Sequence, residues 1–221
     1  MKKENNPAWC FGDVKHSDIS LSRFVLVQGL SELITKYRGK VQSGDIWDAT
    51  NETRVWTHGD KPLKFIASRF ERGLERSTVD EKGKKKDFID YVAYPDTPFE
   101  RLEEMKIDGK METVLNNQFL LFYVHLINDL EEKNPFPTKI KFIGFSLEAG
   151  KNVISNCVKA TSKGLTPASV MFELSTKDIH YTTKDGINTN FFVYNVKALK
   201  TPVKLGYIDY AFKTSQQKLL E

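Results

Sequence analysis

Residues Gln118–Ser146 read QFLLFYVHLINDLEEKNPFPTKIKFIGFS, and this stretch decides how the rest of the chain is interpreted. Residues 119–127 are apolar on both faces of an extended chain, whereas residues 140–145 alternate, with Lys141 facing away from Ile140 and Phe142. The polar residues 128–137 contain two prolines and cannot continue either strand. The stretch therefore predicts two paired central strands, the first of them covered on both faces.

Length and composition favour a single domain. The chain has 221 residues, of which 40% are hydrophobic and 28% charged, and its net charge is +4. No apolar run approaches the roughly 18 residues that a membrane span needs, and no apolar segment of a secretory signal follows the first residues, MKKENNP. We therefore predict a flexible arm over residues 1–20, one β-rich domain over residues 21–221, and a location in the cytoplasm.

Most of the remaining elements are predicted to be strands. Strands are expected at residues 21–29, in a hairpin over 46–56, and at 62–72, 88–94, 169–176 and 189–196. Helices are expected at 30–34, at 98–105, between Ser146 as N-cap and Gly164, and at the C-terminus, where Leu205, Ile208, Phe212 and Leu219 form an apolar stripe. Residues 73–86 are predicted to be a mobile loop or the tip of a long hairpin. The predicted fold class is α+β, mostly β: an elaborated OB-like barrel with one helix between strands and a C-terminal helix.

Motifs of known enzymes are not found in the sequence. There is no glycine-rich phosphate loop, no GxSxG elbow, and no pair of histidines at metal-binding spacing. His125 lies in an apolar strand, which is typical of a core histidine. The cysteines Cys10 and Cys157 are far apart and are predicted to be free thiols, Cys157 as core filler. We expect no catalysis, no cofactor and no bound metal.

The strongest positive signal is a basic segment between aromatic strands. Proteins that hold single-stranded nucleic acid combine cations for phosphates with aromatic faces for bases. The segment carries the cations Arg69, Arg72, Arg76, Lys82, Lys84, Lys85 and Lys86 and the rings Phe70, Phe88, Tyr91 and Tyr94. A solvated loop is the alternative, because Glu71, Glu75, Asp80, Glu81 and Asp87 dilute the charge.

Two tryptophans give a second candidate surface. Trp47 and Trp56 lie on the two arms of the predicted hairpin over residues 46–56. Such a pair packs in the core or, if exposed, provides a platform for stacking bases. Both tryptophans are therefore included among the predicted nucleic-acid-binding residues.

The order of several short motifs resembles a known family. Leu21-Ser22-x-Phe24-x-Leu26-Val27-Gln28-Gly29-x-Ser31 is followed by Gly44-Asp45-Ile46, and later by Lys141-Phe142-x-Gly144-Phe145-Ser146. This order is similar to that of uncharacterised tailed-bacteriophage proteins encoded among replication genes. Many members carry a cysteine cluster able to hold zinc, whereas residues 90–125 here contain no cysteine. The resemblance implies a single-stranded DNA-binding protein acting in phage replication or recombination in the host cytoplasm.

Other functions remain open at this point. One alternative is a virion or assembly protein that binds another phage protein through its C-terminal helix. A second is a metal-dependent nuclease using Asp87 and Asp90 beside the lysines, although such sites need several converging carboxylates. The expected partners are single-stranded DNA, with other phage replication proteins and a homo-oligomer as further options, and no membrane.

Overall fold

The computed structural model contains one strongly curled, open β-sheet that forms a half-barrel. It describes residues 21–29, 31–81, 83–131, 136–182, 186, 188–201 and 203–209. Strand is the dominant element, so the mostly-β prediction is confirmed. The predicted N-terminal arm, with Cys10, lies outside the described residues.

Ten strands and three α-helices have bounds within the described residues. The strands are β1 (Arg23–Leu26), β2 (Ile46–Asp48), β3 (Thr53–Trp56), β4 (Leu63–Val79), β5 (Lys85–Ala93), β6 (Leu102–Ile107), β7 (Lys110–Leu126), β8 (Thr138–Ile143), β9 (Met171–Thr182) and β10 (Asn188–Ala198). The helices are α1 (Glu32–Lys36), α2 (Ile127–Glu131) and α3 (Leu147–Thr161). The strand order is β10-β9-β4-β7-β8-β1-β2-β3, while β5 pairs with β4 and β6 with β7.

The predicted central pair is confirmed as β7 and β8. They run antiparallel, with Phe122 opposite Ile140 and Leu120 opposite Phe142. These four side chains point to the inside of the half-barrel, where helix α3 covers them. Gly150 of α3 allows this close approach, because a Cβ there would lie 2.9 Å from the Leu120 side chain. The other face of β7 is only partly covered, which differs from the prediction.

Strand β4 is longer than the sequence suggested. The mobile-loop interpretation of residues 73–86 was wrong, because β4 continues to Val79 and β5 begins at Lys85. A long hairpin is present, but its tip is shorter than predicted: of the described residues in 73–86, only 80, 81, 83 and 84 lie outside β4 and β5. Cross-strand ion pairs explain why so polar a segment is extended: Arg76 Nε donates to Asp90 Oδ1 over 2.6 Å, and Lys85 contacts Glu75.

The helix predicted at residues 98–105 was wrong: residues 98–101 are in neither a helix nor a strand, and residues 102–105 belong to strand β6. Its partner β7 follows after a tight turn in which both Asp108 and Gly109 have positive φ, +49° and +84°. An Asp-Gly pair is favoured in such a turn because its twist matches that of the flanking strands. Tertiary pairing with β7 therefore overrides the weak local preference for helix.

Helix α3 begins where predicted, but Ser146 does not cap it with its side chain. Its hydroxyl accepts instead from the backbone N–H of Tyr194 on β10, over 3.1 Å. Gly164, at φ +75°, follows the helix end as predicted. Ser146 thus ties the helix start to the edge strand of the half-barrel.

The C-terminal stripe is only partly supported. Residues 205–209 are helical, and Ile208 and Tyr207 pack against a small cluster that includes Ile66 and Met171. Leu205 is 78% exposed, so it does not belong to the packed side. Phe212 and Leu219 lie outside the described residues. No helix in the described ranges combines the length and apolarity that crossing a membrane requires.

Candidate nucleic-acid interface

Aromatic and cationic side chains meet on the face of the sheet that is turned away from helix α3. We call it the outer face. Side chains alternate along a strand, so every second residue of β7 and β8 points to it. In β4 the same holds from Arg69 onward, because a bulge between Ala67 and Arg69 shifts the alternation. The registers align these residues across the sheet. It consists of Arg23, Arg69, Glu71, Glu75, Lys85, Tyr91, Phe119, Leu121, Tyr123, Lys139, Lys141 and Ile143.

Tyr123 of β7 lies between two cations. The Arg69 guanidinium on β4 is 5.3 Å from the centre of its ring, and the Lys139 ammonium on β8 is 5.8 Å from it. Both distances are within the range in which a cation is attracted to an aromatic face. Burial, with a further contribution from Glu71, raises the pKa of Tyr123 above its ordinary value. The phenol therefore stays neutral at physiological pH.

Lys141 of β8 forms a second such group with two rings. Its ammonium lies 5.0 Å from the centre of the Tyr91 ring and 5.9 Å from that of Phe119. The two rings touch each other edge to face, with centroids 5.6 Å apart. Tyr91 is 55% exposed and gives the group a free aromatic surface. The outer face thus offers stacking rings with positive charge beside them.

Glu75 is the carboxylate that organises these lysines. Its side chain is buried, and it accepts from Lys141 over 2.6 Å and contacts Lys85 as well. Burial alone would raise the pKa of Glu75, but the hydrogen bonds from Lys141 and Lys85 lower it below its ordinary value. The carboxylate is therefore charged at neutral pH. On the outer face the cations Arg23, Arg69, Lys85, Lys139 and Lys141 outweigh Glu71 and Glu75.

The structure divides the predicted hairpin residues between two faces. Arg69, Lys85 and Tyr91 lie on the outer face. Phe70, Arg72 and Arg76 lie on the inner side, because each is one residue out of step along β4. Phe70 stacks on the core ring Phe122 at 5.8 Å, Arg72 on Tyr94 at 4.4 Å, and Arg76 binds Asp90. These three cannot form one surface with Tyr91.

The lysines near the hairpin tip are exposed. Lys86 lies 3.8 Å from its neighbour Asp87, and the backbone N–H of Lys84 donates to Asp80. Lys82 lies outside the described residues. Contact between these lysines and nucleic acid stays a prediction.

The tryptophan platform was wrong. Trp47 and Trp56 are each only 4% exposed. Trp47 packs against Tyr37, next to helix α1, with ring centroids 4.6 Å apart. Trp56 is part of the main core, and its indole N–H donates to the Lys61 carbonyl over 2.9 Å. Neither ring has a free face for a base, so both are removed from the candidate surface.

Sequence reasoning missed most of the outer face. Arg23, Phe119, Tyr123, Lys139 and Lys141 were not among the predicted binding residues. The available signal was the Lys-x-Lys alternation at 139 and 141 inside an apolar strand, which places two cations on one face. Tyr123 could not be distinguished from a core residue, because its neighbours are apolar on both sides.

The remaining candidates have structural roles or lie apart. Asp90 is held by Arg76, and hydrogen bonding to that guanidinium lowers the pKa of the carboxyl group. His125 is buried, and burial raises the pKa of the free Cys157 thiol to about 11. In the part of the chain that the structure describes, no three His, Cys, Asp or Glu side chains are grouped so as to hold a metal ion.

Comparison of the chain with protein-family models, with curated proteins and with solved structures found no match. The bacteriophage resemblance therefore stays a prediction from short motifs.

Proposed function

We propose that the protein binds single-stranded DNA along the outer face of its half-barrel. The observation that carries the proposal is the arrangement of Tyr123 between Arg69 and Lys139, with Lys141 beside Tyr91 and Phe119. The rings of Tyr91, which is exposed, and Tyr123, which is half-buried, can stack on bases, and the neighbouring cations can bind the adjacent phosphates. Phe119 is buried and supports Tyr91 through their edge-to-face contact. Packing of the hydrophobic core would not by itself require cations beside these rings on the outer face.

The same arrangement favours unpaired over paired bases. Bases in a duplex are stacked on each other and present no free face to a side chain, whereas every unpaired base has one. Stacking is also tolerant of sequence. We therefore expect binding with little sequence preference, and we propose a binding role without catalysis.

The finer assignments follow from the fold and from the motif resemblance. A curved sheet with helix α3 between strands β8 and β9 is compatible with an OB-like barrel, a fold that often binds oligonucleotides. The resemblance to phage proteins supports a role in phage DNA replication or recombination in the host cytoplasm.

Fluorescence anisotropy with a labelled oligothymidine and with a duplex of equal length tests the proposal. We expect tighter binding of the single strand at low salt. Equal affinity for the two, or no binding to either, would contradict it.

Replacing the central ring gives a more local test. Tyr123→Leu removes the stacking surface but keeps an apolar side chain, so we expect an affinity loss of about 1–3 kcal/mol. Its matched control is Tyr207→Leu, which removes a tyrosine on the small cluster near the C-terminal helical turn. If both variants bind like the unmodified protein, Tyr123 is not part of the interface.

A further inference from the structure

A groove opens at the edge of the outer face where strands β1 and β8 separate. Their parallel pairing covers only Arg23 with Lys139 and Phe24 with Ile140. Beyond these pairs the strands diverge, and β10 lies on the far side of the gap. The resulting groove has a volume of about 530 Å³, which is within the range of sites that hold small molecules.

Three aromatic rings lie together at this groove. Phe145 is 58% exposed, and its ring centre is 4.6 Å from that of Phe191 and 5.5 Å from that of Tyr181, itself 41% exposed. Phe145 and Phe191 line the groove directly. Phe145 follows Gly144, which has a positive φ of +57° and lies directly after the end of β8. The core clusters do not include these rings.

The polar groups of the groove are largely engaged within the protein. The side-chain amide of Gln28 donates to the Phe192 carbonyl over 2.8 Å and accepts from the Phe192 N–H over 3.0 Å. The Ser146 hydroxyl is bound by the Tyr194 N–H. Recognition in the groove therefore depends on its ring surfaces and on the cations at its rim, and not on a specific pattern of hydrogen bonds.

Those cations connect the groove to the outer face. Arg23 and Lys141 line the groove and also belong to the outer face. A ligand that uses both surfaces must carry a flat apolar ring for the groove and an anion for the rim. A nucleotide of a single strand has both.

We propose that the groove receives an unpaired base of the strand whose phosphates cross the outer face at Lys141. This inference rests on the proposed function and adds a second stacking site, formed by Phe145 and Phe191. The strand then passes from Tyr123 over Lys141 to the groove, and the base inserted there is read by shape and stacking only.

Two Phe145 variants and one control test the inference. Phe145→Ala should weaken oligothymidine binding about tenfold without changing the salt dependence, because stacking releases no counterions. Phe145→Leu keeps an apolar side chain but lacks a π-face, and it should weaken binding nearly as much. Leu165→Ala, which truncates a residue of similar exposure beyond helix α3, should bind like the unmodified protein.

Photo-crosslinking of the unmodified protein gives a measurement that does not depend on a variant folding. An oligothymidine in which bromouracil replaces single bases should crosslink to peptides that contain Phe145 or Phe191. Crosslinks confined to β4, β5 and β7, together with unchanged affinity of Phe145→Ala, would overturn the groove site while leaving the proposed function intact. Absence of oligonucleotide binding altogether would overturn both.

Discussion

The β4–β5 hairpin and the β7–β8 pair both carry cations and aromatic rings, but they use them differently. In the hairpin, cations pair with carboxylates on the neighbouring strand, as Arg76 does with Asp90 and Lys85 with Glu75. In the β7–β8 pair, Lys139 lies beside an aromatic ring, and Lys141 contacts rings in addition to Glu75. The hairpin, which is richer in cations in the sequence, is thus the region whose cations are more fully paired with carboxylates in the structure.

The difference shows that strand pairing, rather than the local density of cations, decides where charge is available. Successive residues of a strand point to opposite faces, so a run of cations is divided between two surfaces. Carboxylates on the partner strand then cancel part of each half. Two lysines at alternate positions, such as Lys139 and Lys141, remain together on one face.

The largest expected effect is a difference in unfolding free energy between a variant of β7 and a variant of the hairpin. Phe122 of β7 and Phe70 of β4 are stacked neighbours, but Phe122 is buried while Phe70 is 48% exposed. Phe122→Ala should cost about 3–5 kcal/mol of unfolding free energy. Phe70→Ala should cost about 1 kcal/mol or less, because much of the ring is already in water.

Urea unfolding of the two variants measures this difference, and anisotropy of Phe70→Ala adds a second comparison. Since Phe70 lies on the inner side, its oligonucleotide affinity should be unchanged. A clear loss of affinity in a well-folded Phe70→Ala protein would show that the inner side of the hairpin is part of the binding surface.

The second largest effect compares two double variants that have the same net charge but lack different pairs of lysines. One double variant, with Lys139→Gln and Lys141→Gln, lacks two cations of the β7–β8 pair. The other, with Lys84→Gln and Lys86→Gln, lacks two cations of the hairpin. If both lysines on β8 contact phosphates, the slope of log affinity against log salt should flatten by about 1.4. The affinity at 0.1 M salt should then fall about 25-fold.

If the lysines on β8 and not those of the hairpin contact phosphates, the hairpin double variant should keep its slope and lose little affinity. Salt titrations of both proteins, with melting temperatures as a check on folding, give the comparison. Equal losses in the two variants would mean that long-range charge, and not contact with the outer face, governs binding. A loss confined to the hairpin variant would support the prediction made from the sequence.

Much of the fold was predictable from local patterns. The apolar runs at 119–127 and 140–145 identify β7 and β8, because a buried strand needs apolar side chains wherever it is covered. Turn residues such as Asp108 and Gly109 mark reversals for the same local reason. The length of β4 was not predictable, since its polar half is extended only because β5 and β7 pair with it.

The candidate site was less predictable than the fold. Tyr91 and Arg69 were identified because they lie in the basic segment. Tyr123 and Lys139 come together with Arg69 only through the registers of β4 with β7 and of β7 with β8. Trp47 and Trp56 were misassigned because a hairpin pattern does not indicate which face is covered, and helix α1 and the core cover these rings.

The smallest expected effect concerns Glu75, which joins the two regions through Lys85 and Lys141. Its pKa is lower in the folded protein than in the unfolded chain, so its charged form stabilises the fold at neutral pH. That contribution is lost as the pH falls from the ordinary value of about 4.3 through the lower folded pKa. Glu75→Gln should therefore lower the melting temperature by about 2–4 °C at pH 7, which corresponds to about 1 kcal/mol. The two melting temperatures should converge at acid pH.

Because the Glu75→Gln variant also releases Lys85 and Lys141 from their carboxylate, it should bind oligothymidine more tightly and with a steeper salt dependence at pH 7. Glu148→Gln, at an exposed position of helix α3, is the control for net charge. If Glu148→Gln strengthens binding as much as Glu75→Gln, the gain reflects overall charge, and Glu75 does not restrain the lysines of the outer face.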